Sequence, residues 1–213
     1  MDIGNIRTEY TLEGLRREQL DQDPVKQFEL WFQQACAADL PESNAMSLAT
    51  VSPTGEPSQR MVLLKYFDRQ GLVFFTNYES QKARHIEVNP KVSLLFFWIA
   101  LERQVKISGT AIKISTAESL KYFATRPRGS QIGAWCSQQS TVISSRQLLE
   151  MKFEEIKRKF QDREIPLPSA WGGYRVIPHS FEFWQGRTNR LHDRFLYSRL
   201  DAESAWYIKR LAP

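Results

Sequence analysis

Short runs of β-forming residues, separated by turn residues at close intervals, constrain the fold of this chain more than any other feature. The runs AMSLATV, QRMVLLKYF and GLVFFTN lie between residues 45 and 77, and SPTGEPS and DRQ separate them. Turn residues at this spacing are typical of antiparallel strands. VSLLFFW and ERQVKISGTAIKI continue the pattern, and further strands are predicted at 174–177, 181–184, 195–197 and 205–210.

Helices are inserted singly into this pattern. Apolar spacing and capping residues predict one helix that begins at Pro24, one over 80–88, one that begins at Ser115 and ends near Arg126, and one over 145–161. Single insertions argue against a doubly wound parallel sheet. We therefore expect a mainly β fold with added helices, in the form of an antiparallel barrel with the helices at its rim.

The domain organisation follows from composition along the chain. Residues 1–23 are rich in charge and poor in core-forming side chains, which predicts a mobile N-terminal arm with one short helix. Residues 24–213 are expected to form a single domain, because the length suits one. Within that domain the segment 166–173, which contains two prolines and two adjacent glycines, is predicted to be a linker.

The overall charge favours an anionic partner. The formal net charge of +5 leaves nucleic acid, membrane headgroups and small phosphorylated ligands open. Cys36 and Cys136 occur in unrelated contexts, so we expect free thiols in a reducing compartment. MDIGNIRTEY lacks the apolar centre of a signal peptide, and the longest apolar run, 92–100, is too short to span a bilayer. These features predict a cytoplasmic protein.

Several motif classes are absent from the sequence. His85, His179 and His192 have no metal-ligand spacing and no partner cysteines, so no metal site is predicted. The sequence contains no G-x-G-x-x-G, P-loop or G-x-S-x-G motif and no aromatic-basic octamer of the RNA-binding type. The usual nucleotide cradles are therefore excluded.

Two segments combine basic and hydroxyl side chains. Arg60 and Lys65 are five residues apart on a predicted strand, where side chains alternate between the two faces. We therefore expect them to point to opposite faces. Tyr122 and Arg126 are four apart on a predicted helix, and with Ser130 they form a plausible phosphate clamp. Taken alone, the Arg60/Lys65 pair or the Tyr122/Arg126/Ser130 group could also be ordinary surface residues, since Lys and Arg side chains usually lie at the surface.

The segment 182–194, EFWQGRTNRLHDR, is the densest in functional side chains. Trp184 offers a flat stacking surface. Arg190, His192 and Arg194 alternate with other residues, so we expect them to share one strand face. Three neighbouring basic groups repel one another unless an anion lies against them, and such local conflicts are typical of functional sites.

This same block resembles the signature of the pyridoxamine 5'-phosphate oxidase family. Further segments are similar to family segments in the same order, and they extend the likeness over nearly the whole chain: QRMVLLKYF, NPKVSLLFFW, LERQVKISG, SLKYFATRPRGSQIGAW, PLPSAWGGYRV and the terminal RLAP. The resemblance implies an FMN-binding split β-barrel and a homodimer with FMN at the subunit interface. It also implies oxidation of pyridoxamine and pyridoxine 5'-phosphates to pyridoxal 5'-phosphate, with O2 as electron acceptor and H2O2 as product.

The resemblance further implies the residues of the site. The FMN contacts would be Arg60, Met61, Val62, Leu63, Leu64, Lys65, Phe75, Thr76, Gln81, Lys82, Gln104, Gln139, Ser140, Trp184 and Arg194. The substrate contacts would be Arg7, Tyr10, Lys65, Tyr122, Arg126, Ser130, Arg190 and His192. Of these, Arg190 and His192 would be the catalytic pair, against the pyridine ring and its reacting side.

Two positions depart from the family pattern. Phe75 stands where the family often has tyrosine, and Gln81 stands where it often has arginine. One guanidinium near the FMN phosphate is therefore missing, although Arg60 and Lys82 remain. A charged hydrogen bond contributes roughly 1.5–3 kcal/mol, so the change bears on how tightly FMN binds.

Three other functions are compatible with parts of this pattern. A flavin reductase on the same barrel would bind FMN but would not need the clamp or the catalytic pair. A non-catalytic carrier of pyridoxal phosphate or flavin would have a similar sequence. A nucleic-acid-binding module would show strongly salt-dependent binding.

Overall fold

The computed structural model describes residues 1–6, 8–201 and 203–213. The described helices are α1 (Pro24–Ala37), α2 (Gln81–Val88), α3 (Thr116–Thr125), α4 (Arg128–Cys136) and α5 (Arg146–Lys159). The described strands are β1 (Ala45–Val51), β2 (Pro57–Leu63), β3 (Tyr66–Asp68), β4 (Gly71–Asn77), β5 (Lys91–Trp98), β6 (Arg103–Lys113), β7 (Trp171–Gln185), β8 (Asp193–Ser198) and β9 (Tyr207–Leu211).

The nine described strands belong to one antiparallel sheet. Its order is β2-β1-β5-β6-β7-β4-β3, and β8 pairs with β7 and with β9. The predicted class, mainly β with added helices, is confirmed. Within the described residues, no helix combines the length and the apolar character needed to cross a membrane.

The core forms where α1 covers the curled sheet. Alternate residues of β1 are buried, as a strand with one face on the core requires. Helix α1 begins after Asp23, whose side chain accepts a hydrogen bond from the Val25 amide. Its predicted apolar face is buried at Phe28, Trp31 and Ala35.

The N-terminal segment takes part in this core. The short helix expected within residues 1–23 is a 3-10 turn at Arg17–Gln19. Leu15 and Leu20 are buried in the same cluster as α1 and the sheet. Packing against the barrel therefore begins before residue 24, whereas the mobility of the arm and the single-domain boundary stay predictions.

The prediction of a linker over 166–173 is wrong for its last residues. Gly172 and Gly173 lie inside β7. A Cβ on Gly172 would lie 2.2 Å from the Tyr78 hydroxyl oxygen, and one on Gly173 would lie 2.6 Å from Ile114 Cδ1. These glycines permit close packing rather than a turn. The two strands predicted at 174–177 and 181–184 are parts of this one strand, which pairs with β6 across a register shift.

The sequence prediction also missed α4. Pro127 directly follows the predicted end of the preceding helix near Arg126, and it is the residue before the first turn of α4. Proline suits the start of a helix as well as its end, because the first turn needs no amide donor. Helices α3 and α4 pack with the end of α5 around a second hydrophobic cluster that includes Phe123, Phe160 and Trp171.

Candidate functional site

A cavity of about 950 Å³ lies between β2, β4 and the helices α2, α3 and α4. Its wall carries four cationic side chains, from Arg60, Lys65, Lys82 and Arg126. None of the described residues that line it is acidic. We call it the basic cavity, and it is large enough for a drug-sized ligand.

Most of the residues expected to bind FMN or the substrate phosphate line this cavity. They are Arg60, Met61, Val62, Leu63, Lys65, Phe75, Thr76, Gln81, Lys82, Tyr122, Arg126, Ser130, Gln139 and Ser140. Leu64 does not line it, because its side chain is buried in the core. Arg7 lies outside the described residues.

The expectation that Arg60 and Lys65 point to opposite faces is wrong. Strand β2 ends at Leu63, so Lys65 lies beyond the strand. The alternation of side chains between the two faces of a strand therefore does not extend to Lys65. The Lys65 amide donates a hydrogen bond to the Val73 carbonyl of β4. This turn of the chain brings both basic side chains to the same cavity.

Among the described residues, only neutral oxygens accept hydrogen bonds from the cations at one end of the basic cavity. The Arg60 guanidinium donates to Thr50 Oγ1 at 2.7 Å and to Ser58 Oγ at 2.6 Å. Lys82 Nζ donates to Thr76 Oγ1 at 3.1 Å and to Gln139 Oε1 at 3.0 Å. Burial, and then the charge of Arg60, lower the pKa of Lys82 to about 8.

At the other end, Arg126 lies against aromatic rings. Its guanidinium carbon is 4.6 Å from the centre of the Trp171 ring. Phe75 stacks on Tyr122 at 4.0 Å and on Trp171 at 5.2 Å. Trp171 is not among the site residues expected from the sequence, because the segment 166–173 is predicted to be a linker and the strand that begins at Trp171 appears only in the structure.

The basic cavity fits anionic ligands. Arg126 Nη1 is buried and has no hydrogen-bond partner among the described residues. Burial lowers the pKa of Arg126, as expected for a charge without a carboxylate partner. Together with Lys82, it leaves buried positive charge that a phosphate would neutralise, while the aromatic wall suits a flat ring.

A second group of predicted residues surrounds Trp184. Gln104, Trp184 and Arg194 line one cavity of about 250 Å³. Tyr10, Arg190 and His192 line another of about 290 Å³. The His192 and Tyr10 rings lie 4.5 Å and 5.7 Å from the ring of Trp184, so this residue of the first cavity also contacts two residues that line the second. We call these six residues the Trp184 cluster.

The expectation that Arg190, His192 and Arg194 share a strand face is wrong. Strand β8 begins only at Asp193. Arg190 ends a 3-10 turn and has φ 59°, and Asn189 before it has φ 55°. Left-handed backbone at two successive non-glycine residues is uncommon and is typical of functional sites. The turn therefore sets the position of Arg190.

His192 is held as a neutral ring of defined tautomer. Its Nδ1 accepts a hydrogen bond from the Arg187 amide at 3.1 Å, so the ring proton of the neutral form lies on Nε2. Burial and then the charge of Arg190 lower the pKa of His192 below its ordinary value. The Nε2–H is therefore a hydrogen-bond donor at neutral pH.

A carboxylate that the sequence analysis did not consider partly relieves the repulsion among the basic groups. Arg194 Nη2 lies 2.7 Å from Glu182 Oε1 and Lys106 Nζ lies 2.6 Å from Glu182 Oε2. For Arg194, the anion expected beside these basic groups is the carboxylate of Glu182 in the same chain.

The basic cavity and the Trp184 cluster lie at opposite ends of β7. Gly172 pairs with Thr76 of the basic cavity, and Trp184 pairs with Arg194. Twelve residues of strand correspond to about 40 Å of contour at 3.3 Å per residue. The two groups line separate cavities within one chain.

Fold and site together define a class of protein. The fold is an antiparallel barrel, and its basic cavity suits a phosphorylated aromatic ligand. A family model described as pyridoxamine 5'-phosphate oxidase matches residues 32–160, and one described as the pyridoxine 5'-phosphate oxidase C-terminal dimerisation region matches residues 171–213. The chain belongs to the pyridoxamine 5'-phosphate oxidase family.

Curated relatives support this membership over the full length. The chain is 70% identical to the pyridoxine/pyridoxamine 5'-phosphate oxidase of Rippkaea orientalis, and the match covers 100% of both chains. It is 61% identical to the protein of the same name from Aliarcobacter butzleri, again over 100% of both.

Solved structures support the fold. The crystal structure of PhzG from Burkholderia lata 383, in complex with tetrahydrophenazine-1-carboxylic acid, matches with a TM-score of 0.89 and 27% identity, over 97% of this chain and 100% of that one. A pyridoxamine 5'-phosphate oxidase-related, FMN binding protein from Nostoc punctiforme matches with a TM-score of 0.71 over 91% and 100%. At 17% identity the second likeness bears on the fold alone.

Proposed function

We propose that this chain is an FMN-dependent oxidase that converts pyridoxamine 5'-phosphate and pyridoxine 5'-phosphate to pyridoxal 5'-phosphate, with O2 as electron acceptor and H2O2 as product. The observation that carries this proposal is the basic cavity, in which four cationic side chains meet no described carboxylate. FMN and the substrate each bring one phosphate and one flat ring. The full-length identity to oxidases of that name supports the same reaction.

Different parts of the chain bind the two ligands. Arg60, Lys82 and their polar neighbours Thr76, Gln81, Gln139 and Ser140 bind FMN. Lys65, Tyr122, Arg126 and Ser130 bind the substrate phosphate, and the unpartnered Nη1 of Arg126 supports this role. Phe75 contributes its ring to the aromatic wall, so the missing hydroxyl does not remove the stacking surface.

The catalytic contribution of the chain is positioning. When bound, FMN supplies the acceptor for a hydride from the 4' carbon of the substrate. Arg190 presents a planar guanidinium to the pyridine ring, which a lysine ammonium cannot imitate. His192 donates its Nε2–H on the reacting side. Holding reactants in place in this way lowers a barrier by about 7–11 kcal/mol.

A homodimer is part of the proposal. Because the basic cavity and the Trp184 cluster lie at opposite ends of β7, one chain does not bring both groups to one ligand. A second copy, related by two-fold symmetry, would place its Trp184 cluster beside the basic cavity of the first. The match of residues 171–213 to a dimerisation region supports this arrangement.

The cellular location is also part of the proposal. The two cysteines are free, and Cys36 is exposed. Free thiols are typical of a reducing compartment, which supports a cytoplasmic enzyme.

The identity of the bound chromophore is the first test. We expect purified protein to be yellow and to release FMN on denaturation at about one per chain. Release of FAD, or failure to bind any flavin after reconstitution, would contradict the proposal.

Bleaching of the flavin separates the oxidase from the alternatives. Pyridoxamine 5'-phosphate should bleach the flavin absorbance without oxygen, and air should restore it. Unphosphorylated pyridoxamine is the matched control and should bleach it far more slowly, because it cannot use the phosphate clamp. A carrier would not bleach, a flavin reductase would bleach with a nicotinamide donor instead, and a nucleic-acid-binding module would contain no flavin.

Substitution of Arg126 tests the clamp itself. Arg126→Ala should raise the KM for the phosphorylated substrate at least tenfold with little loss of flavin, since a lost charged hydrogen bond costs about 1.5–3 kcal/mol. Arg146→Ala, at an exposed arginine of α5, is the control. An unchanged KM in Arg126→Ala would remove this residue from the clamp.

A further inference from the structure

Glu182 lies in β7, two residues before Trp184, and only 9% of its side chain is exposed. Its carboxylate meets two cations. Oε2 lies 2.6 Å from Lys106 Nζ, and Oε1 accepts from Arg194 Nε at 2.8 Å and lies 2.7 Å from Arg194 Nη2. This buried carboxylate has no part in the mechanism described above.

The contacts fix the plane of the Arg194 guanidinium. Two of its nitrogens are bonded to Glu182, and Nη1 donates to the Ala212 carbonyl at 2.8 Å. A guanidinium has five N–H groups, so two remain for a ligand. Arg194 also lines the cavity that contains Trp184 and Gln104.

Glu182 has the charge needed to hold the Arg194 guanidinium in place. Burial alone would raise its pKa, but the hydrogen bonds and charges of Lys106 and Arg194 outweigh burial and hold the pKa below its ordinary value. The carboxylate is therefore ionised at neutral pH, and it gives up its bonds to Arg194 only in acid.

We propose that Glu182 is a positioning residue for FMN, acting through Arg194 by fixing the orientation in which that guanidinium meets the cofactor. The proposal rests on the proposed function, because it takes FMN as the ligand that Arg194 contacts. It extends the site by a carboxylate that lines the same cavity as Arg194 and acts through that guanidinium.

The direction in which FMN affinity changes in two variants distinguishes positioning of Arg194 from simple charge balance. Glu182→Gln makes this region more positive by one charge, and Lys106→Met makes it less positive by one. If charge alone mattered, the first change would tighten binding of the anionic FMN and the second would weaken it. If Glu182 orients Arg194, Glu182→Gln weakens FMN binding and Lys106→Met leaves it nearly unchanged.

The measurement is the release of FMN from diluted holoprotein. The recovery of flavin fluorescence reports this release. We expect the dissociation constant to rise about tenfold in Glu182→Gln, in line with the loss of a charged hydrogen bond. Glu182→Asp keeps the charge but is one methylene shorter, so it should show a smaller loss. Glu154→Gln, at an exposed ion-paired carboxylate of α5, should release FMN as the wild type does.

A double-mutant cycle shows whether Glu182 acts through Arg194. In the Arg194→Ala background, Glu182→Gln should cause no further loss of FMN affinity. Equal losses in both backgrounds would indicate a merely structural role and would overturn the proposal, as would unchanged or tighter binding in Glu182→Gln. If Glu182→Gln fails to fold, Glu182→Asp is tested in the same cycle.

The outcomes also separate this proposal from the proposed function. Wild-type protein that binds no FMN would contradict the proposed function, and Glu182 would then have no cofactor to act on. Wild-type protein that binds FMN, beside a Glu182→Gln variant that binds it equally well, would contradict the role of Glu182 alone.

Discussion

Lys82 and Arg126 keep their charges in the wall of a cavity where no described residue offers a carboxylate. Lys82 Nζ is bonded to hydroxyl and amide oxygens, and Arg60 adds a second positive charge beside it. Because burial disfavours the charged amine, the free protein holds this proton less tightly than an exposed lysine would. A bound phosphate reverses this effect, since it favours the ammonium.

FMN affinity should therefore fall as pH rises above about 8, the pKa of Lys82 in the free protein. Below that pH the ammonium is present before FMN binds. Above it, binding requires the uptake of a proton, so affinity falls by up to about tenfold per pH unit. The phosphate itself ionises near pH 6 and does not titrate in this range.

Fluorescence titration of FMN between pH 7 and 10 measures this dependence. Lys82→Met should bind FMN more weakly and with a flat profile, because the titrating group is gone. A wild-type profile that is also flat would show that Lys82 does not contact the phosphate.

Arg190 is the residue whose geometry matters most for turnover. We expect Arg190→Lys to lower kcat/KM at least tenfold with near-normal FMN content, because the ammonium keeps the charge but not the plane. His192→Asn should have a smaller effect of the same kind. Steady-state kinetics beside a flavin titration provide the measurement, and loss of activity explained wholly by lost FMN would contradict the assignment.

Strand β7 is the element on which the site depends. Its first residues pair with β4 beside the basic cavity, and its last residues pair with β8 beside the Trp184 cluster. Between the two, its register against β6 shifts at Ser108 and Gly109. The same strand carries Trp171, Glu182 and Trp184, so its bend determines where each of them lies.

Gly109→Ala should destabilise the protein by about 1–3 kcal/mol, the usual cost of overpacking. The added Cβ would lie 2.4 Å from the Ile177 carbonyl oxygen, which is backbone and cannot rotate away. Gly129→Ala is the matched control, because nothing lies within 4 Å of its Cβ and alanine favours the helix. Thermal unfolding should show a lower Tm only in Gly109→Ala, and equal Tm values would contradict the account of the register shift.

At the scale of the whole molecule, the expected site is divided. The basic cavity contains the proposed phosphate-binding side chains, and the Trp184 cluster contains the proposed catalytic pair. This division gives the proposed homodimer a physical reason, since each complete site would need a different group from each copy.

Mixed dimers test this division. Arg126→Ala and Arg190→Lys lie in different groups, so a heterodimer of the two variants would contain one site with both defects and one with neither. Heterodimers isolated with two different affinity tags should recover about half of wild-type activity if two-fold symmetry holds. If both groups acted within one chain, every site in the heterodimer would carry one defect, and activity would stay low.

The sequence by itself determined the local structure and most of the chemistry. Alternation and turn residues were enough to place β1, β4, β5 and β6, because these patterns act over a few residues. The capping box at Ser115 likewise located the start of α3, with both reciprocal hydrogen bonds present. Family resemblance named residues of both groups, which the fold then places in separate cavities at opposite ends of β7.

Only the tertiary structure decided how these residues meet. Gly172 and Gly173 lie in a strand because Tyr78, Phe75 and Ile114 pack against them, and nothing in the local sequence records those neighbours. Lys65 lines the same cavity as Arg60 because the chain turns after Leu63. Arg190 lies outside β8, in a turn with left-handed backbone. Glu182 is unremarkable in sequence, and its role comes from Lys106 on the neighbouring strand β6 and Arg194 on β8. Contacts between distant segments depend on the packing of the whole barrel, so local patterns could not predict them.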